Sequence, residues 1–133
     1  MRSIEYQMVT NGISVKVTPK YEDAHSKPSI GKFTFSYHVV IQNLTAEPVK
    51  LLSRHWFIYD SKQIQREVEG DGVVGLQPVI KSGEIFEYTS WCPLQSGLGK
   101  MHGHYKFIEM SDMSHKFQVE IPEFILVASF VLN

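Results

Sequence analysis

Three stretches of this chain carry residue types at spacings that could do chemistry. The first is Gly70-Asp71-Gly72-Val73-Val74-Gly75, which satisfies the G-x-G-x-x-G pattern of a dinucleotide-binding turn. That pattern has its physical meaning only between a strand and a helix, whose N-terminal amides hold the pyrophosphate. Here Leu76-Gln77-Pro78-Val79-Ile80-Lys81-Ser82-Gly83 follows, and Pro78 and Gly83 leave no room for a helix of useful length. The run therefore reads as a shaped loop. The chemistry left to it is that of backbone amides, which can donate to an anion without any helix.

The second stretch is Ser53-Arg54-His55-Trp56. On a strand, Arg54 and Trp56 share one face and Ser53 and His55 the other. Trp56 is expected in the core. Arg54 has the planar fork that grips an oxyanion in bidentate fashion; otherwise its stem covers apolar surface while its head pairs with an acid such as Asp60 or Glu67. The third stretch is Met101-His102-Gly103-His104, where two histidines two residues apart project to one side of a strand. Zinc needs three or four ligands, and the sequence supplies no obvious third beyond a His115 that only a hairpin would bring near, so no metal site is assigned. Cys92 has no basic or His-rich segment beside it and reads as a small buried thiol. No Ser/His/Asp order, P-loop or pocketed pair of carboxylates is present, so no catalytic residue and no cofactor is assigned.

The elements that must position these residues are strands. Ile13, Val15 and Val17 alternate with polar residues up to Pro19, and Phe33, Phe35, Tyr37, Val39 and Ile41 make a longer stripe. Residues 49–59, 85–90 and 105–110 are rich in β-branched and aromatic side chains, and Phe117, Val119 and Ile121 alternate before Pro122. The apolar stretch from Phe124 to Leu132 reads as a buried strand. Turn-forming composition separates these runs at residues 43–48, 70–75, 82–83, 95–99 and 111–114. No window has an apolar face at helical spacing. The expectation is an all-β sandwich of seven to nine strands, of the immunoglobulin or fibronectin type III kind, with residues 20–31 as a mobile loop between the first two strands.

A chain of 133 residues is one domain's length, and about two-thirds of its unfolded surface can be buried. We take residues 1–133 as a single domain. Thirteen Lys and Arg against fourteen Asp and Glu give a net charge of −1, so no overall basic field draws nucleic acid or anionic lipid. The single cysteine rules out an internal disulfide and fits a reducing compartment. The N-terminal residues lack the apolar core of a signal peptide, and the longest apolar stretch is about half of the ~20 residues that span a bilayer. A cytoplasmic protein with no membrane partner is expected. Asn43-Leu44-Thr45 then reads as a turn and not as a glycosylated site.

The combination of Leu51-Leu52-Ser53-Arg54-His55-Trp56, Glu67-Val68, Gly70 to Pro78, Phe86-Glu87-Tyr88-Thr89-Ser90, and Met101, Gly103 and Tyr105 resembles the ApaG family. The resemblance spans nearly the whole chain, from Gly12-Ile13 and the aromatic stripe onward. It implies a fibronectin type III-like or immunoglobulin-like sandwich in a small bacterial cytoplasmic protein with no established enzymatic activity. Related domains in eukaryotic F-box proteins and in a polymerase-interacting protein imply a protein-binding module. A genetic association with cobalt resistance and magnesium efflux belongs to the same family. Two departures stand out: Ser61-Lys62-Gln63 follows Asp60 where the family has a glycine, and Trp91 precedes Cys92-Pro93-Leu94 in place of a glycine.

The candidate binding set is therefore Arg54, His55, Gly70, Gly72, Val73, Val74, Gly75 and Gln77. The leading expectation is a protein partner docking near residues 70–78 or on an exposed strand edge, where two copies could also pair as a homodimer. The second is a phosphate or nucleotide anion held by the glycine amides with Arg54 or His55. A role in metal homeostasis comes third.

Overall fold

The computed structural model describes residues 3–129 and consists of nine strands. They are β1 (Tyr6–Thr10), β2 (Ile13–Tyr21), β3 (Phe33–Asn43), β4 (Val49–Asp60), β5 (Ile64–Asp71), β6 (Val79–Ile80), β7 (Ile85–Leu94), β8 (Leu98–Glu109) and β9 (Lys116–Val127). All pairings are antiparallel. One sheet has the order β1-β2-β3-β7, and the other β5-β4-β8-β9 with β6 also bordering β4. This is the expected all-β sandwich.

Period-2 alternation builds the core. Ile13, Val15 and Val17 of β2 and Phe35, Tyr37, Val39 and Ile41 of β3 face Leu51, Trp56, Ile58, Tyr105, Phe107 and Phe124 from the other sheet. Tyr37, Trp56 and Phe124 lock the sheets together, with ring centroids 5.1 Å apart for Tyr37–Trp56, 5.9 Å for Trp56–Phe124 and 5.7 Å for Tyr37–Phe124. Such tilted pairs add about 0.5–1.5 kcal/mol each beyond the area they bury.

Two β-bulges reset the alternation. In β4 the register against β8 shifts between Leu51 and Ser53, so Val49 and Leu51 face inward and, beyond the bulge, so do Trp56 and Ile58. In β9 a similar shift lies opposite Met101 and Gly103 and takes in Pro122, whose missing N–H an unpaired bulge position tolerates. The strand consequently does not end at Pro122. It continues to Val127, short of the Leu132 expected from the apolar stretch, whose last three residues lie outside those described.

Three further expectations are corrected. A strand, β1, precedes the first one read from alternation; its five residues bury little, which is why no stripe announces it. Strand β2 runs through Pro19 to Tyr21, because β1 ends opposite Val17 and beyond it β2 has only β3 as a neighbour. The polar connection consequently joins β2 to β3 and holds two 3-10 turns, Asp23–His25 and Pro28–Ile30. It is tied to β3: the Glu22 amide donates to Thr34 O at 2.8 Å and the Ser36 hydroxyl to Glu22 Oε2 at 2.6 Å.

The two long sides of the sandwich differ. On one, β1 and β2 pack against β9, and bonds cross between the sheets: Asn11 Nδ2 donates to Gln118 O at 2.8 Å, and the Ile125 amide to the Tyr6 hydroxyl at 3.3 Å. On the other, β5 and β7 are the outer strands of their sheets and do not pair with each other.

Candidate functional site

The glycine run sits on this open side. Gly70 and Asp71 are the last residues of β5, not part of the loop. Strand β5 borders β4 from Ser53 to Asp60 and β6 borders it at Val49 and Lys50, so the segment between them crosses over the bulge at Leu52. A bulge leaves backbone groups without a ladder partner, and the segment supplies them. The Gly72 amide donates to Leu52 O at 2.8 Å, Gln77 Nε2 donates to the same oxygen at 2.8 Å, and the Leu51 amide donates to Pro78 O at 3.0 Å.

Beyond Gly72 the chain makes a tight two-residue turn, with Val73 and Leu76 bonded to each other through both amides. Its central residues, Val74 and Gly75, have φ of 43° and 79°. Positive φ at both positions is the type I′ hairpin turn. Gly75 adopts it freely, whereas Val74, β-branched, is strained there. A Cβ at Gly72, φ 64°, would stand 2.2 Å from Leu76 O, which no local adjustment relieves.

The amides of Gly72, Val73 and Leu76 are thus all donating within the protein. The loop does not present its three apolar residues together either: Val73 is 1% exposed and belongs to the core, while Val74 and Leu76 are each 54% exposed.

Arg54 and His55 part company. Arg54 lies on the inner face, and its Nη1 donates to Asp71 O at 2.9 Å and Gly72 O at 3.0 Å. It pairs with neither Asp60 nor Glu67. Asp60 accepts from the Gln95 amide at 2.6 Å and the Lys62 amide at 3.1 Å, besides the Ser96 hydroxyl. Burial works to raise the Asp60 carboxyl, but these donors outweigh it and hold it below the usual range. Glu67 projects to the outer face, where its Oε2 stands 3.2 Å from His55 Nε2, with Glu69 Oε1 3.8 Å from Nδ1. His55 stacks on Phe57 at 4.5 Å. Of the candidate set, Arg54, Gly70, Gly72, Val73 and Gln77 converge around the bulge, Val74 and Gly75 form the tip above it, and His55 stands apart on the outer face.

His102 and His104 do share the outer face, His102 stacked on Tyr59 and Phe57 and His104 tilted against Phe57 and His55. His115 is at the far end of the β8–β9 hairpin, its Nδ1 2.8 Å from Glu109 Oε2. Five residues of strand separate Glu109 from His104, about 17 Å, so the three histidines do not converge. No group of three His, Cys, Asp or Glu side chains is arranged around a metal position among the described residues.

Sequence reasoning missed Arg66. Its parity with Val68 and Gly70 on β5 places it on the inner face, and its Nη2 donates to Pro93 O of β7 at 2.6 Å, with Cys92 Sγ at 3.3 Å. Cys92 is buried, as expected of it, and burial pushes its thiol up to about 11. Trp91 stays 49% exposed beside it, its ring meeting His25 edge-on at 5.2 Å.

The ApaG domain model matches residues 23–109, which include β3 to β8, the bulge and the glycine hairpin. The chain belongs to the ApaG family. It is 45% identical over 121 residues to the protein ApaG of Bdellovibrio bacteriovorus, covering 91% of this chain and 92% of that one. To the protein ApaG of Bordetella pertussis it is 43% identical over 121 residues, covering 91% of both chains. Among solved structures, it superposes on the crystal structure of the putative ApaA protein from Bordetella pertussis with a TM-score of 0.83 and 40% identity, over 95% of this chain and 98% of that chain. These matches name a family and a fold, and no reaction. Among the described residues no helix is long and apolar enough to cross a membrane.

Proposed function

We propose that this ApaG protein is a non-enzymatic protein-interaction module, one domain over residues 1–133, which receives its partner on the open side of the sandwich. The observation that carries this reading is the strained hairpin tip. Val74 is held at φ 43°, and Val74 and Leu76 are left exposed above a loop whose other groups are consumed in capping the bulge. A strained, exposed apolar turn on a rigid base costs stability and gives the fold nothing in return, which is the pattern of a recognition element. The unpaired edge of β7 runs along the same side and can accept an added strand from a partner or from a second copy.

Anion binding by the amides of the glycine hairpin has less support, since those of Gly72, Val73 and Leu76 already donate internally. A buried free thiol fits residence in the reducing cytoplasm. The test is affinity capture from lysate of the host cell. The wild-type chain should enrich a discrete partner that Val74→Asp/Leu76→Asp loses; no specific partner, or one indifferent to the double substitution, contradicts the reading.

A further inference from the structure

Between β5 and β7 lies a cleft of about 170 Å³. Trp56, Ile58 and Met101 are its floor, Arg54 and Arg66 line it from β4 and β5, and Ser90, Trp91 and Cys92 of β7 form the opposite wall. Neither arginine has a carboxylate within ion-pairing distance among the described residues. The bonds they do make go to backbone carbonyls and a thiol, through Nη1 alone for Arg54 and Nη2 alone for Arg66. Each guanidinium has five N–H donors, so most of its capacity is unspent.

The nearby acids are turned elsewhere. Glu67 and Glu69 project to the opposite face beside His55, and Asp60 is occupied by the Gln95, Ser96 and Lys62 donors. Gly70 adds space, since a Cβ there would crowd the Arg54 guanidinium. Two cations walled by apolar and aromatic groups, with no carboxylate in direct contact and Asp60 acting on Arg66 only at longer range, make a place where an oxyanion gains more than it does in water, because the guanidinium fork matches its geometry.

We propose that the cleft between β5 and β7 is a binding site for a small organic anion, its carboxylate or phosphate held by Arg54 and Arg66 and its apolar body lying against Val68, above the buried floor of Trp56 and Met101. The site is distinct from the glycine hairpin's tip. It takes its ligand whether or not a protein docks at Val74 and Leu76.

The test is an NMR titration of ¹⁵N-labelled chain with phenyl phosphate, benzoate, inorganic phosphate and neutral benzyl alcohol. Saturable shifts are expected at the Ser90 and Cys92 amides and at Arg66 Nε–H for phenyl phosphate, benzoate or both, and which of them responds names the acid. Arg66 is exposed, so Arg66→Gln folds; it should weaken binding about tenfold or more, and Arg54→Lys should weaken it as well. Inorganic phosphate should bind more weakly than phenyl phosphate, lacking the apolar body. No saturable shift up to about 10 mM, an equal response to benzyl alcohol, or undiminished binding in Arg66→Gln overturns the proposal.

Discussion

The Arg54 guanidinium occupies the space that a side chain at Gly70 would need: a Cβ built there stands 3.1 Å from Nη1 and 3.3 Å from Nη2. The same guanidinium holds the carbonyls of Asp71 and Gly72. The first glycine of the G-x-G-x-x-G match thus serves an arginine, the second a bulge and the third a turn, and none of the three serves a helix.

These roles rank the three glycines by stability. Gly72→Ala forces backbone against backbone and should cost about 3 kcal/mol or more. Gly75→Ala meets open space and suffers only from its φ of 79°, about 1–2 kcal/mol. Gly70→Ala displaces a flexible guanidinium at about 1 kcal/mol. Urea denaturation of the three variants measures the order, and equal losses would refute the assigned roles.

Strain at Val74 makes the opposite prediction. Val74→Asn creates the Asn-Gly pair that type I′ turns favour and should stabilise the chain by about 1 kcal/mol, raising Tm by roughly 3–5 °C. If the exposed valine is retained for recognition, the same variant should capture partner less well. Calorimetry and capture on one preparation decide both.

Gln63, at φ 61°, holds the left-handed position in the turn after Asp60. Gln63→Gly should therefore be neutral or stabilising, by up to about 1 kcal/mol, in a thermal melt.

Asp60 ties stability to acid. Its folded carboxyl lies below the ordinary 3.8, so its contribution is fully present above that value and is lost as pH falls through the folded one. The gap in urea midpoint between wild type and Asp60→Asn should be constant from about pH 7 to about pH 5 and narrow toward about pH 3. A gap independent of pH would contradict the assignment.

Cys92 has the opposite sign. With its thiol pushed from 9.0 up to about 11, the neutral form is favoured by folding, and that contribution is lost only as pH rises through those values. At pH 8 a disulfide reagent should label native protein far more slowly than unfolded protein.

How far the sequence could be read follows from these same residues. Alternation exposed β2, β3 and the first half of β9 because burial writes itself at period 2, whereas β4 showed itself by its β-branched and aromatic composition. Strand β1 stayed hidden because an edge strand that buries little has no stripe. The bulges at Leu52 and Pro122 were invisible because each shifts the period by one residue without a distinctive letter. Arg54 was expected to seek an acid, whereas its partners are carbonyls exposed by a glycine turn, which carry no mark in the sequence. Val73 stood in the candidate binding set, yet the two-residue turn folds it under into the core. Arg66 was legible by parity with Val68 and Gly70, although only the opposing β7 shows what it reaches.

The claim that the open side meets the partner is tested most directly by site-specific photo-cross-linking in the host cell. A photoreactive side chain is placed in turn at Leu76 on the hairpin, at Thr89 on the exposed face of β7, and at Gln118 on the β9 side that Asn11 closes. The account predicts one discrete cross-linked species from positions 76 and 89 and none from 118. Cross-linking from 118 alone, or equally from all three, would contradict it.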